Sequence, residues 1–257
     1  MRRSFRALLD GAGPVIGTWA QLPHPEAVEI IGAAGFDFAI VDLEHGHFGL
    51  ERAAEMLRAC DAAGLAPLAR VRNHDSIGAV LDAGAAAVVV PGIATAEAAD
   101  AAAAATRFAP HGTRGACPCV RSGGHYIRDW PGYVASTEAG CIVLVETAEG
   151  VRNIAAILRT PGVTALMAGP FDLSVSMGHN GNWRHPEVQD AMARLLDAAA
   201  AVGTAVIVPV FDPDVAGGRA QMANWQERGV RVFTLGTDKI LLSDAARRWT
   251  AAVRADG

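Results

Sequence analysis

Lysine is almost missing from this sequence. Lys239 is the only one among 257 residues, and it follows the last predicted strand at the start of a helix. An enzyme that forms a Schiff base with its substrate needs a lysine in a desolvated pocket. The composition therefore argues against a covalent lysine mechanism.

Basic charge and long apolar runs are also scarce. The formal net charge is −5, which leaves no basic stripe for a nucleic-acid backbone. No stretch is long enough to span a membrane, and Asp10, Gly11 and Pro14 interrupt the apolar residues near the start, where a signal peptide needs about 7–15 in a row. We therefore expect a cytoplasmic protein with neither nucleic acid nor membrane as a partner.

The four cysteines form no pattern typical of a disulfide scaffold. Cys117 and Cys119 are separated by one residue, and neither they nor Cys60 and Cys141 have the paired C-x-x-C spacing. We expect reduced thiols, and no metal at the C-x-C pair because further ligands at suitable spacing are missing.

What the sequence does contain is an alternation of short apolar runs with alanine-rich segments of helical spacing, such as 50–63, 95–107, 186–202 and 238–253. Eight βα units in roughly 250 residues are typical of a (β/α)8 TIM barrel, whose strands are buried on both faces. We predict a single barrel domain over residues 1–257. Its predicted strands are 15–20, 36–42, 67–71, 87–92, 141–146, 165–169, 205–210 and 232–236.

One segment breaks this rhythm. Residues 110–134 are rich in glycine and proline and are too many for an ordinary barrel connection. We predict a functional loop there, at the active site or at a subunit interface.

Polar residues gather at the carboxyl ends of several predicted strands, where TIM barrels carry their active sites. Glu146 after strand five and Asp172 after strand six can converge on one point. Two carboxylates suit a hard divalent ion that keeps open positions for water and substrate. Singly, Asp172 could instead cap a helix and Glu146 pair with an arginine, but together they favour a metal site.

Other strand ends supply groups for acid–base chemistry. Strand two ends in DLEHGH, in which Asp42 can orient the imidazole of His45 and tune its pKa. Arg70, at the end of strand three, can stabilise an oxyanion. The turn GPFDLS presents free backbone N–H groups near Phe171 and Asp172, on which a substrate carboxylate can dock.

Two other functions stay open at this point. His45 and His47 form an H-x-H pair like those of zinc-dependent barrel hydrolases, although such sites draw further histidines from later strands, and here those strands end in Glu146 and Asp172. A non-catalytic protein that binds a keto acid would keep the pocket without turnover.

Six motifs occur in a fixed order between about Pro14 and Val253: GTWAQLPHPEAVEIIGAAGFDFAIVDLEHG, LARV, VPGIATAEAA, GTRG, VETAEGVRN and GPFDLSVSMG. Together they resemble the HpcH/HpaI family of class II (metal-dependent) pyruvate aldolases, which act on substrates such as 4-hydroxy-2-oxo-heptanedioate and 2-keto-3-deoxy sugar acids. The resemblance implies Mg²⁺, Mn²⁺ or Co²⁺ on Glu146 and Asp172, and no organic cofactor. It implies reversible cleavage of 4-hydroxy-2-oxo acids to pyruvate, or hydroxypyruvate, and an aldehyde, with oxaloacetate decarboxylation as a side activity.

The resemblance also implies residue roles. His45, oriented by Asp42, takes the proton of the C4 hydroxyl, and Arg70 helps to hold the enolate. Glu44 belongs to the polar network around the metal. The substrate-binding residues it implies are Trp19, Gly169, Pro170, Phe171 and Arg121.

By the same resemblance, the protein is a hexamer, a trimer of dimers that exchange the last helix, about 238–253, and the loop with Arg121 reaches a neighbouring active site. Two residues depart from the family pattern. Leu144 stands where well-studied members carry glutamine, and Phe171 stands where alanine is frequent. Both make the pocket more apolar or tighter, which concerns the aldehyde rather than the pyruvate.

Overall fold

Eight parallel strands close into a barrel in the computed structural model, which describes residues 4–212 and 214–255. Each strand pairs with the next one along the chain, and the last pairs with the first. The predicted TIM barrel is confirmed, and the strand ends differ from prediction by two residues at most. The strands are β1 (Val15–Ala20), β2 (Phe38–Asp42), β3 (Ala66–Arg70), β4 (Ala87–Val90), β5 (Gly140–Val145), β6 (Val163–Ala168), β7 (Ala205–Val210) and β8 (Val232–Thr237).

Helices connect the strands and surround the barrel. Several begin where a side chain satisfies a free backbone N–H: Thr95 accepts a hydrogen bond from the N–H of Ala98, and Thr147 accepts one from Gly150. The helices are α1 (Phe5–Asp10), α2 (Pro25–Ala33), α3 (Leu50–Ala62), α4 (Ser76–Asp82), α5 (Ala96–Thr106), α6 (Trp130–Ser136), α7 (Ala148–Leu158), α8 (Pro170–Ser176), α9 (Pro186–Val202), α10 (Val215–Gln226) and α11 (Asp238–Ala255).

The strands are buried on both faces, which explains their continuous apolar sequence. One face of each strand packs against the helices in the larger of two apolar clusters, and the other face fills the barrel interior. In β2, for example, Ala39 and Val41 face the helices while Phe38 and Ile40 lie inside. The barrel is therefore a packed core rather than a channel.

Helix α1 belongs to the inner cluster. Phe5 and Leu9 are buried with the residues at the amino ends of the strands, and the Phe5 ring meets the Phe38 ring edge-on with centroids 6.2 Å apart. An apolar plug thus covers the amino end of the barrel, and only the opposite end is left for polar chemistry.

The glycine- and proline-rich segment contains a short 3₁₀ turn (Arg121–Gly123) and runs into α6. Within it, Arg114 is buried, with Nη2 2.6 Å from Oδ1 of Asp82 and the guanidinium over the ring of Phe108. The loop is thereby fixed to the outside of the barrel. Its role at an active site or interface stays a prediction.

Helix α11 packs little against the rest of the chain. Several of its large apolar side chains are exposed, namely Ile240, Leu241, Leu242, Trp249 and Val253. Exchange of this helix between subunits stays a prediction. Within the described residues, no helix combines the length and apolar character needed to cross a membrane.

Candidate active site

Strand periodicity brings the polar residues to one end of the barrel interior. Because side chains alternate between faces, the inner face of β2 runs through Phe38 and Ile40 to Asp42. The same period ends at Arg70 in β3 and reaches Glu146 just after β5. Apolar residues fill the middle of the barrel, and these three polar residues lie at its carboxyl end.

Arg70 and Glu146 line a cavity of about 350 Å³ at the mouth of the barrel. It contains seven of the predicted site residues and several others. The lining residues are Trp19, Gln21, His45, Arg70, Leu144, Glu146, Met167, Gly169, Phe171, Asp172, Pro209, Phe211 and Thr237.

Arg70 joins two acidic residues at the base of this cavity. Its Nε and Nη2 donate to the two oxygens of Asp42, at 2.9 and 2.6 Å, and Nη1 lies 3.1 Å from Oε2 of Glu44. The guanidinium also stands over the Trp19 ring, 4.3 Å from its centroid. A bidentate, stacked arginine of this kind has a fixed direction, so Arg70 is a preorganised cation.

Asp42 does not contact the imidazole of His45, which the sequence predicted it to orient. Its Oδ1 accepts hydrogen bonds from the backbone N–H groups of Glu44 and His45, and its Oδ2 accepts one from Nε2 of Gln21. The carboxylate is therefore occupied by Arg70, Gln21 and the backbone, and it fixes the turn that carries His45 rather than the imidazole. The acid nearest to the imidazole is Glu44, whose Oε2 is 4.0 Å from Nε2 of His45.

The Asp42 carboxyl is fully buried, which by itself would raise its pKa, but the hydrogen bonds and charge of Arg70 hold the pKa below the usual value of 3.8. Asp42 is thus an anion at neutral pH. It neutralises Arg70 and serves as part of the framework of the site.

Glu146 has the opposite character. Its pKa is raised from 4.5 to about 7, mainly by burial and also by the negative charges of Asp172 and Glu44. A hydrogen bond from the backbone N–H of Gly92 to Oε1, at 2.8 Å, and the charge of Arg70 oppose this rise. The largest cause of the raised pKa is thus burial, and the repulsion from the two neighbouring carboxylates adds to it. A cation between Glu146 and Asp172 would relieve that repulsion.

The turn before α8 is shaped around Glu146. A Cβ atom on Gly169 would lie 2.8 Å from the Cβ of Glu146 and 3.2 Å from its Oε2. Pro170 follows at the start of α8 and is buried, and Asp172 lies in the first turn of that helix. Glycine at position 169 thus lets the strand-five carboxylate and the α8 turn approach each other closely.

The donor set fits a hard divalent ion. Four carboxylates, from Asp42, Glu44, Glu146 and Asp172, face one guanidinium and one imidazole, so the mouth carries excess negative charge. Among the described residues, Glu146 and Asp172 form no ion pair with an arginine, unlike Asp42 and Glu44. Oxygen donors of this type are those that Mg²⁺ and Mn²⁺ prefer.

The outer wall of the cavity is apolar. Trp19 and Leu144 are buried at its base, and Phe171, half exposed, stands at the rim near Phe211. The indole N–H of Trp19 donates to Oγ1 of Thr234 at 3.2 Å, which fixes the ring. The pocket therefore combines a charged floor with a hydrophobic rim.

Four of the predicted site residues, Asp42, Glu44, Pro170 and Arg121, do not line the cavity, although the first three adjoin residues that do. Arg121 bonds Asp61 and the carbonyl oxygen of Ala83, at 2.5 and 3.0 Å, away from the pocket of its own chain. A role for Arg121 in a neighbouring active site stays a prediction. His47 is exposed, and among the described residues no group of three metal-ligating side chains includes His45 and His47 together.

Gln21 and Asp238 are site residues that the motif reasoning missed. Gln21 comes directly after β1 and continues the period of Gly17 and Trp19, so strand periodicity could have identified it. Asp238, the first residue of α11, accepts the backbone N–H groups of Gln21 and Leu22 on Oδ2, at 2.9 and 2.8 Å. Asp238 therefore holds the turn after β1 in place. No local sequence pattern could predict this contact, because its partners are 216 residues apart.

The closed barrel with a cavity of charged residues at its mouth is typical of TIM-barrel enzymes, whose active sites lie at the carboxyl ends of the strands. The chain belongs to the HpcH/HpaI aldolase/citrate lyase family, whose sequence model matches residues 15–245. Its enzymatic class is that of the aldolases, which are carbon–carbon lyases.

Individual relatives agree with this assignment. A hydroxypyruvate/pyruvate aldolase from Chromohalobacter salexigens is 38% identical over 252 residues, which are 95% of each chain. A 5-keto-4-deoxy-D-glucarate aldolase from Escherichia coli is 31% identical over 250 residues, 95% of this chain and 94% of the relative. The crystal structure of an HpcH/HpaI aldolase/citrate lyase family protein from Burkholderia cenocepacia has 36% identity and a TM-score of 0.88, over 97% of this chain and 98% of that one.

Proposed function

We propose that this protein is a divalent-metal-dependent aldolase that reversibly cleaves 4-hydroxy-2-oxo acids to pyruvate, or hydroxypyruvate, and an aldehyde. The observation that carries the proposal is geometric: Glu146 and Asp172 line one cavity with Arg70 and His45, and among the described residues neither carboxylate is paired with an arginine. The similarity to hydroxypyruvate/pyruvate and keto-sugar-acid aldolases supports it. Oxaloacetate decarboxylation is expected as a side activity because it passes through the same enolate.

Glu146 and Asp172 would hold the ion. Bound there, a divalent ion supplies positive charge that polarises the 2-oxo group of the substrate. Arg70 lies at the floor of the same pocket, fixed by Asp42 and Trp19, where it stabilises negative charge on the enolate oxygen. Because Arg70 is already oriented, it needs no rearrangement as charge develops.

His45 is the base in this proposal. It takes the proton from the C4 hydroxyl, the C3–C4 bond breaks, and its electrons pass to C3 and the 2-oxo group as C4 becomes the aldehyde carbonyl. Glu44 is the carboxylate nearest to its Nε2, at 4.0 Å. Asp42 contributes by fixing the backbone of the turn that carries His45.

The pyruvate end and the aldehyde end lie against different surfaces. The backbone amides that follow Gly169 and Pro170 receive the pyruvate carboxylate at the start of α8. The aldehyde extends toward Leu144 and Phe171, whose apolar side chains favour aldehydes with apolar substituents next to the reacting carbon.

The proposal also includes a homo-oligomer, a hexamer of exchanged dimers, in the cytoplasm. It is supported by the exposed apolar side chains of α11, such as Leu242, Trp249 and Val253, which are costly to leave in water. Arg121 would then serve a neighbouring subunit.

Metal removal tests the function. Protein treated with a chelator should lose turnover of pyruvate with a panel of short aldehydes, followed by mass spectrometry of the adducts, and should regain it with Mn²⁺, Mg²⁺ or Co²⁺. Undiminished turnover without metal would contradict the mechanism.

The same panel separates the alternatives. Pyruvate binding without any adduct would favour a non-catalytic keto-acid-binding protein. Retention of the ion by Glu146→Gln, together with its loss in His45→Ala, would favour a hydrolase that binds zinc through His45 and His47.

A further inference from the structure

The loop between α8 and α9 brings together three metal-ligating side chains that the proposed reaction does not use. Nε2 of His179 is 3.0 Å from Oε2 of Glu187, and the rings of His179 and His185 are stacked with centroids 3.6 Å apart. One ligand atom from each of the three residues lies within 4.8 Å of the other two. We refer to these three residues as the α8–α9 cluster.

We propose that the α8–α9 cluster binds one divalent transition-metal ion, of the Zn²⁺, Ni²⁺, Co²⁺ or Cu²⁺ type, at a site separate from Glu146 and Asp172. The two imidazole nitrogens favour these ions over Mg²⁺, which prefers a set made only of oxygen ligands, and the single carboxylate supplies one negative charge. The catalytic mouth offers carboxylate oxygens and favours hard ions. The two sites therefore differ in the class of ion they select.

The local backbone prepares these ligands. The loop turns sharply through left-handed conformations at Gly178, Asn180 and Gly181, which fold it back between the two helices. Nδ1 of His185 accepts the backbone N–H of Glu187 at 3.3 Å, which orients the ring at the start of α9. An ion on Nε2 would replace the proton of that nitrogen, which would move to Nδ1 and replace this hydrogen bond.

Side-chain packing restrains the cluster as well. His179 has only 17% of its side chain exposed, whereas Glu187 has 68% exposed and can adjust its carboxylate toward an ion. The arrangement thus has restrained nitrogen donors and one mobile oxygen donor.

The cluster stands directly behind the apolar rim of the active site. A Cβ on Gly181 would lie 3.1 Å from the Phe171 ring, and the Trp183 ring is 6.3 Å from that of Phe211. Both phenylalanines line the catalytic cavity. An ion that fixes this loop would therefore also fix the rim that contacts the aldehyde.

Copper binding to the full-length chain tests the proposal. The background variant is Glu146→Gln, in which the mouth has lost a ligand, so that Cu²⁺ reports on other sites. After chelator treatment, one Cu²⁺ should bind and its electron paramagnetic resonance spectrum should show coupling to two imidazole nitrogens. Adding His179→Gln should weaken binding at least about tenfold, since even outer partners of metal ligands are worth about 10–100-fold in affinity.

Matched controls make the outcome decisive. His111→Gln replaces an exposed histidine elsewhere and should leave affinity and spectrum unchanged, and Glu187→Gln repeats the ligand test at an exposed position where folding is not at risk. Near-ultraviolet circular dichroism of the metal-free variants checks that they fold. If Glu146→Gln binds no Cu²⁺ through nitrogen, or if both ligand variants bind it as tightly as their background, the proposal is overturned. Because the test needs no turnover, its failure leaves the aldolase proposal intact.

Discussion

The two ends of the barrel are built from the same strands and have opposite chemistry. At the amino end, α1 places Phe5 and Leu9 over the inner face, and the contacts are apolar. At the carboxyl end, the same inner face presents Asp42, Arg70 and Glu146. In β2 the ion-paired Asp42 comes only two positions after the apolar Ile40. One strand can therefore contribute to stability at its start and to function at its end.

The two ends also differ in what they cost the metal-free protein. The plug removes apolar surface from water, which stabilises the fold. The mouth keeps a carboxyl whose pKa is raised to about 7, so an ionised Glu146 destabilises the folded state. Function at this end is therefore accompanied by strain that a bound cation would remove.

Glu146→Gln should give the largest effect and should separate the two properties. Aldolase activity should fall on the order of 10³-fold or more because the proposed metal site loses a ligand. Stability of the metal-free protein should instead rise at pH 8, by about 3 kcal/mol for a shift from 4.5 to about 7. Urea unfolding with a chelator present measures the second effect.

The pH dependence gives the sign of this prediction. Below pH 4.5, Glu146 is protonated in both the folded and unfolded states, so it imposes no penalty. Between pH 4.5 and about 7, the unfolded chain loses the proton first, and the stability of the wild type declines relative to that of the Glu146→Gln variant. Glu149→Gln, on the exposed surface of α7, is the control and should change neither quantity. Equal stabilities of wild type and Glu146→Gln at pH 8 would refute the raised pKa.

Two phenylalanine substitutions, one at each end of the barrel, should separate the effect on stability from the effect on activity. Phe5→Ala, at a residue only 2% exposed, should lower stability by about 3–5 kcal/mol and leave kcat per folded molecule unchanged. Phe171→Ala, at a residue 50% exposed, should cost little stability and should change the relative kcat/KM values for different aldehydes. Thermal unfolding and the aldehyde panel measure the two effects.

The two variants can be compared directly because the same side chain is removed at each end of the barrel. A change of aldehyde preference in Phe5→Ala would show that the plug is coupled to the mouth. Unchanged preference in Phe171→Ala would remove Phe171 from the substrate-binding residues.

The sequence was sufficient for the barrel because its strands are buried on both faces and its helices have clear caps. The run AVIVPV and the helix 186–202 were predicted with their observed bounds. Short elements were harder, since α1 and α8 have only 6 and 7 residues and depend on tertiary packing. Their amphipathic pattern is too brief to be recognised.

At the site, the sequence could indicate which residues reach the mouth but not how they pair. The alternation of side chains along a strand brings Asp42 and Arg70 to the ends of adjacent strands. That Asp42 pairs with Arg70 and not with the His45 imidazole depends on the strand register, which places Asp42 opposite Arg70. The contact of Asp238 with the β1 turn depends on barrel closure between β8 and β1. Both are long-range results of the fold.

Gly169→Ala should give the smallest effect and should sharpen the boundary between core and site. The backbone at Gly169 has φ −99°, which alanine tolerates, so the only penalty is the close approach of the new Cβ to Glu146 and Leu144. We expect this overpacking to lower the free energy of unfolding by about 1–3 kcal/mol. A shift of the Glu146 side chain would relieve it, and that shift would move the carboxylate away from the proposed ion. The concentration of Mn²⁺ at half-maximal activity should therefore rise about tenfold, in the range found when the surroundings of a metal ligand are disturbed, while kcat at saturating Mn²⁺ changes less.

Gly78→Ala, in α4 with open space around it, is the matched control and should be neutral or stabilising by up to about 1 kcal/mol. If Gly169→Ala lowers stability without changing the Mn²⁺ requirement, this glycine belongs to the packing of the barrel and not to the shaping of the carboxylate pair.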